Sequence, residues 1–234
     1  MKVRVKFSKT GLMKYIGHLD IMRFFQKAVR RAGIDIRYSE GFSPHQVMSF
    51  ALPLGVGVTS EGEYFDMELK SPASTRLLQK QLNAQMPEDM AVLSCRMLPD
   101  DAKRAMAVIA AADYRVSFRE GVLPPAGWDS HLTAFLAQEE ILLERQGKKT
   151  LQTVNIRPAI YGMQAQEDNT IWMRLGAASS DYLKPQAVWE AFCSFAGIPF
   201  DSGALRVHRL ELYCRDAQDG FLSLEDAGKE FETP

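Results

Sequence analysis

Hydrophobic and polar positions alternate with period two over Val3-Arg4-Val5-Lys6-Phe7, which predicts a strand with one apolar and one basic face. From Leu19 to Ala32 the period becomes helical. Ile21, Met22, Phe25, Ala28, Val29 and Ala32 make one apolar stripe, Arg23, Lys27, Arg30 and Arg31 lie opposite, and Gly33 stops the helix. Strands are predicted at 35–38, at 47–54 (apolar enough for a central strand) and at 63–69. A helix opens with Ser71-Pro72 and runs to Gln85, and a strand covers 91–97. Ala105 to Ala112 is strongly helix-prone. Similar elements then recur in similar order: strand 114–119, a loop with Pro124, Pro125 and Gly127, helix 128–145, strands 152–160 and 170–175, helix 185–196 ended by Gly197, and strand 205–213. The acidic segment after Asp216 is expected to fray.

The order β-α-β-β-α-β in each half predicts an α+β chain of two tandem ferredoxin-like (split βαβ) domains with mostly antiparallel sheets. The boundaries would be 1–100, a linker at 101–112, 113–216, and a tail at 217–234. A single irregular α+β domain is the competing reading. At 234 residues, with 46% hydrophobic and 24% charged side chains, the chain can bury one large core or two small ones. Its longest apolar stretch, 106–112, falls far short of the about 20 residues of a membrane span. Residues 1–6 lack the apolar run of a secretion signal. Cys95, Cys193 and Cys214 are odd in number and widely spaced. That pattern predicts free thiols in a reducing, cytoplasmic setting, with no disulfide framework and no C-x-x-C metal site.

Charge changes the picture more. Residues 1–50 carry ten Lys and Arg against three acids, a net +7 in a chain whose total is −1. A basic first quarter points to a polyanion partner, or else to a solvated face balanced by acids elsewhere. Candidate phosphate contacts are Lys9, Lys14, Arg23, Lys27, Arg30, Arg31 and, in the second half, Arg157, with Arg206 and Arg209 as further basic points. Phe7, Tyr15, Tyr38, Phe42 and Phe50 are available for base stacking or for the core.

The densest polar chemistry is Gly17-His18-Leu19-Asp20 and Tyr38-Ser39-Glu40-Gly41-Phe42-Ser43-Pro44-His45. His18, at a helix start, suits acid–base work or an anion, or a cap; Asp20 suits the helix dipole and an ion pair with Arg23. His45 lies in a loop. The candidate catalytic set is therefore His18, Asp20 and His45. The two histidines meet only if the 38–45 loop folds back over the sheet. With Glu61, Glu63 or Asp66 they would suit a divalent metal, but the spacing does not require one, and no metal or cofactor is expected. Gly55-Val56-Gly57 lacks the Gly-Lys-Ser/Thr ending of a phosphate loop and reads as a strand-end turn. His131 and His208 read as structural.

The runs Phe7–Gly11, Gly17–Asp20, Arg30–Gly33, Tyr38–His45, Ser49–Gly57 and Ser60–Asp66 together resemble the radical-SAM-linked proteins of unknown function. The likeness is dense through Asp66 and looser afterwards, through 155–158 and 207–209. In the 38–46 loop this chain has Ser43 where Asn is usual and Gln46 where Pro is usual. The family-motif loop and its companions are Tyr38, Ser39, Gly41, Phe42, Pro44, His45, Glu61, Glu63 and Asp66. The resemblance implies a module that stands alone or is attached to the C-terminus of a radical-SAM protein, often encoded beside one and near genes of RNA metabolism. It implies no catalytic residues. The three scattered cysteines also lack the close triplet that holds a radical-SAM iron–sulfur cluster. Three readings follow: an RNA-binding or substrate-presenting accessory in RNA modification, with a radical-SAM protein and tRNA or rRNA as partners; a pure protein-interaction partner; and a metal-independent endoribonuclease-like enzyme using His18 and His45.

Overall fold

The computed structural model describes residues 1–122, 124, 126–146, 151–201 and 203–232. In chain order the regular elements are β1 (Lys2–Lys9), α1 (His18–Arg31), β2 (Met48–Phe50), β3 (Thr59–Glu68), α2 (Thr75–Asn83), β4 (Met90–Leu98), α3 (Ala105–Val108) and β5 (Ile109–Phe118). Then come α4 (Leu132–Leu136), β6 (Leu142–Gln146), β7 (Leu151–Asn155), β8 (Ile160–Ala165), β9 (Ile171–Gly176), α5 (Pro185–Ala196), β10 (Leu205–Arg215) and β11 (Phe221–Ser223). The chain is mixed α+β, with antiparallel pairing in both of its compact units. One unit is Met1–Ala110 with Arg209–Pro234, and the other is Ala111–His208.

In the first unit β4, β1 and β3 lie side by side and β2 and β10 each pair with β3; the β4–β1, β1–β3 and β3–β2 pairs are antiparallel. The alternation of β1 decides its two faces. Val3, Val5 and Phe7 turn to α1 and α2, meeting Ile21, Phe25, Val29, Leu78 and Leu82. Phe7, Phe25, Phe50 and Phe65 pack there as one aromatic cluster, with ring centroids 4.7 Å apart for Phe7–Phe25 and 4.8 Å for Phe25–Phe65.

The opposite face is a web of ion pairs. Arg4 holds Asp66 at 2.8 and 3.0 Å, Lys6 reaches Glu211 at 2.7 Å and Glu225 at 3.2 Å, and Arg96 reaches Glu225 at 2.9 Å and Glu230 at 2.8 Å. Residues 217–232 therefore do not fray as expected: their acids answer the basic face of β1 and β4. β11 pairs with β10, Lys229 bridges to Met97, and the Phe231 carbonyl accepts from Thr75 N at 2.8 Å. The unit boundary correspondingly differs from the expected 113–216 domain and separate tail.

In the second unit β5 pairs with β9 and β9 with β8, both antiparallel, while β6 and β7 form a separate hairpin. Trp128, Phe135, Trp189 and Phe192 are buried there together with Val116, Ile171, Met173 and Leu175. α5 matches the expected helix and ends at Gly197, whose φ of +67° suits glycine.

Several elements differ from the pattern. The helix expected over 128–145 is a 3₁₀ turn at Trp128–His131 followed by α4. The chain then becomes β6, because pairing with β7 satisfies its backbone. The helix-prone 105–112 stretch is helical only to Val108. Ala111 and Ala112 are buried and pair with Gly176 and Leu175, so tertiary pairing overrides alanine's propensity. The expected strand at 47–54 is only the three residues of β2, since Leu52 and Pro53 turn their carbonyls to Arg209. Of the strand at 35–38, only the isolated bridges of Ile36 to Leu69 and Tyr38 to Gln46 form. Pro125 lies outside the described residues.

Phe25→Ala should destabilise the fold by about 3–5 kcal/mol in urea unfolding, as for a fully buried aromatic. Phe42→Ala, at a fully exposed side chain, should stay within about 0.5 kcal/mol of wild type.

Candidate functional site

α1 begins after Gly17, and its apolar stripe (Ile21, Phe25, Ala28, Val29) is buried. The stripe leaves Arg23, Lys27, Arg30 and Arg31, spaced i, i+4, i+7 and i+8, exposed on the other face. Asp20 pairs with Arg23 at 3.2 Å; both side chains are in water, so the pair does little to cancel the basic face. Lys14 stands over the Tyr15 ring at 5.1 Å. Two expected phosphate contacts are placed otherwise. Lys9 is buried, its Nζ donating to the Ile16 carbonyl at 2.7 Å. Arg157, in the second unit, donates to the Leu136 and Ile160 carbonyls at 2.9 and 3.0 Å and so braces its own backbone.

Behind the start of α1 lies a buried charge cluster. Arg209, 1% exposed, donates to Glu63 Oε1 at 2.9 Å and to the Leu52 and Pro53 carbonyls at 3.2 and 3.4 Å. Lys9 and Ser60 also bear on Glu63. Burial pushes the Glu63 carboxyl above its ordinary value, against the pull of Arg209, Ser60 and Lys9. Burial likewise lowers Lys9, Glu63 opposing and Arg209 reinforcing the shift. His18 is half-buried, its ring edge-on to Phe50 at 5.6 Å, and burial together with Lys9 lowers its pKa. Glu63 and Arg209 thus hold structure together, and Arg209 is not a surface phosphate contact.

The 38–46 loop is a closed turn. Tyr38 bridges to Gln46, Ser39 N donates to the His45 carbonyl at 2.8 Å, His45 N donates to Ser39 Oγ at 3.1 Å, and that hydroxyl lies 2.8 Å from His45 Nδ1. Gly41 takes φ +111°, a conformation other residues avoid. Gln46 is buried and its Nε2 donates to the Gln26 carbonyl at 3.1 Å, tying the loop to α1. Phe42 and Tyr38 are exposed, as is Pro44, whereas Phe7 is buried and Phe50 half-buried in the core.

Beside this loop lies a cavity of about 200 Å³. Ser39, His45 and Ser49 line it with polar groups, and Lys2, Asp66, Glu68 and Arg104 contribute charge. His18 is not among its lining residues, so the structure does not bring His18 and His45 together there. Glu61 is exposed on β3, apart from buried Glu63. Among the described residues, no three His, Cys, Asp or Glu side chains come together as a metal site, and no helix is long and apolar enough to cross a membrane. All three cysteines are free and buried, and burial pushes the Cys95 thiol up to about 12. Sequence reasoning missed Lys2 and Arg104. Lys2 shares the alternation phase of Arg4 and Lys6, a usable signal, but nothing local marks Arg104.

The model of a bacterial family described as "Uncharacterized protein conserved in bacteria (DUF2344)" matches residues 2–185, and the chain belongs to that family. No curated protein matches it. Among solved structures it is similar to a Cbf5–Nop10–Gar1 complex, at 11% identity and TM-score 0.47, covering 90% of this chain and 48% of that one. It is also similar to the archaeal box H/ACA sRNP Nop10–Cbf5 complex, at 9% and 0.42, covering 88% and 46%. The chain spans about half the length of those structures, and likeness at this level carries no functional weight.

Arg209→Met should lower stability by about 3–5 kcal/mol by stranding Glu63. The triple variant Lys9→Met/Glu63→Leu/Arg209→Met should recover most of that loss in urea unfolding. His18 should titrate below 6.5 when its ring resonances are followed by NMR. Because its folded pKa is depressed, its contribution to stability is present above the unfolded value and is lost as pH falls through the folded one. His18→Gln should therefore flatten the acid side of the stability profile.

Proposed function

We propose that this member of the DUF2344 family is an RNA-binding accessory module that holds single-stranded or structured RNA by its phosphates. The observation that carries the reading is the exposed row Arg23, Lys27, Arg30 and Arg31 on α1, with Lys14 beside its start. The polar face of the first unit's sheet is engaged by the C-terminal segment, whereas the four cations of α1 stay exposed. Exposed Tyr15, Tyr38 and Phe42 are available for stacking on unpaired bases. The pairing of β4 with β1, β1 with β3 and β3 with β2 supports reading the first unit as a split βαβ unit to which β10 is added, and we read the second unit as another, with the β6–β7 hairpin inserted. A radical-SAM protein acting on RNA is the enzyme such a module would serve, as the sequence resemblance implies.

A second reading, a pure protein partner, draws on the exposed apolar side chains Leu12, Tyr15, Ile16, Leu19 and Val56. The endoribonuclease reading is the least supported, because His18 packs on Phe50 whereas His45 is held by Ser39.

Fluorescence anisotropy with bulk tRNA and a ribosomal RNA fragment tests this. Wild type should bind in the micromolar range and lose at least about 10-fold in affinity between about 50 and 200 mM salt. Arg23→Ala/Lys27→Ala/Arg30→Ala should weaken binding at low salt and reduce the salt slope by about 2. Absence of binding at low salt would rule the module out as an RNA binder and favour the protein-partner reading.

A further inference from the structure

We infer that the cavity beside the 38–46 loop is a binding site for a phosphomonoester. It does not depend on the RNA reading, because a free nucleotide and an RNA end carry the same group. The charge balance of its walls makes the case. Asp66 is neutralised by Arg4 in a two-pronged pair at 2.8 and 3.0 Å, and its Oδ2 also accepts from Ala105 N at 2.7 Å. Glu68 is answered by Arg37 at 3.2 Å. Among the described residues, Lys2 and Arg104 have no carboxylate at ion-pair distance. The lining therefore keeps two uncompensated cations, which suits a doubly charged anion and disfavours a divalent cation.

The donors fit the same group. Lys2 Nζ donates to the Asp100 and Ala102 carbonyls, the latter at 3.1 Å, which orients the ammonium and leaves its third N–H to donate elsewhere. Ser39 Oγ engages His45 Nδ1, so the imidazole is held with Nε2 as its remaining polar atom. The Ser49 hydroxyl, which without ligand donates only to the weak acceptor Met106 Sδ at 3.5 Å, can turn to a phosphate oxygen instead. Met48, Met67 and Leu98 give the cavity an apolar part, and about 200 Å³ accommodates a phosphate with a sugar attached but not a base pair.

Titration of the protein with uridine 5′-monophosphate and with uridine, followed by amide NMR, tests the site. The nucleotide should shift the Ser39, His45 and Ser49 amides and bind at least about 10-fold more tightly than uridine. Lys2→Gln and Arg104→Gln should each weaken it about 5-fold or more. The exposed Arg104 variant should keep the wild-type melting temperature, which separates lost binding from lost folding. Equal binding of nucleotide and nucleoside, shifts confined to other residues, or wild-type affinity in Arg104→Gln would overturn the assignment. A single-stranded decamer with 5′-phosphate, 3′-phosphate or hydroxyl ends distinguishes the sources. A preference for one phosphorylated end identifies an RNA terminus as the ligand. Tight nucleotide binding without end preference identifies a free nucleotide. An RNA that binds through α1 with neither effect overturns the cavity assignment while leaving the RNA reading intact.

Discussion

The buried carboxylate of Glu63 is the point on which the first unit is organised. It sits in β3 and is met by Arg209 of β10, and Lys9 of β1 bears on it as well. The two cations do not stop there. Arg209 takes the Leu52 and Pro53 carbonyls and Lys9 takes that of Ile16, so one anion indirectly anchors the segments on either side of α1's start. A buried cluster of this kind adds little net stability over an apolar one, but losing a member leaves an unpaired charge in a medium of low dielectric. The cluster thereby imposes an arrangement: β2 ends after Phe50, the chain turns, and His18 is pressed against Phe50.

The second constraint is the polar face of the same sheet. Lys6 and Arg96 would face water on a four-stranded sheet standing alone. Instead Glu211, Glu225 and Glu230 come to them from the far end of the sequence. That closure separates the basic residues into two groups. Arg4, Lys6 and Arg96 are neutralised within the fold, and the cations of α1 remain available to a polyanion. The +7 of residues 1–50 thus overstates the free positive charge, and what survives the pairing is the exposed row on α1 together with Lys2 and Lys14.

Local pattern determined much of this. The period of 3.6 in α1 set both the buried stripe and the exposed arginines, because a helix converts spacing into faces without outside help. The period of two in β1 likewise set which side chains meet the helices, and Gly197 marked the end of α5. The turn at 38–46 was legible as a loop from its Gly, Ser and Pro, although its Ser39–His45 contacts were not.

What tertiary structure alone decided are the features made by residues distant in sequence. Lys9 looked like any other basic residue of the first quarter, and only Glu63 and the Ile16 carbonyl draw it inside. Residues 109–112 and 142–146 read as helix, and only their strand partners hold them extended. The acidic tail read as a frayed end, and it takes its place from the cations of β1 and β4 together with its pairing to β10, Met97 and Thr75. The cavity joins Lys2, Ser39, Asp66 and Arg104 from four separate stretches. Periodicity reports how a segment divides between apolar and polar surroundings. It carries no information about which distant charge or strand will supply them, and that is what places Lys9, the tail and the cavity.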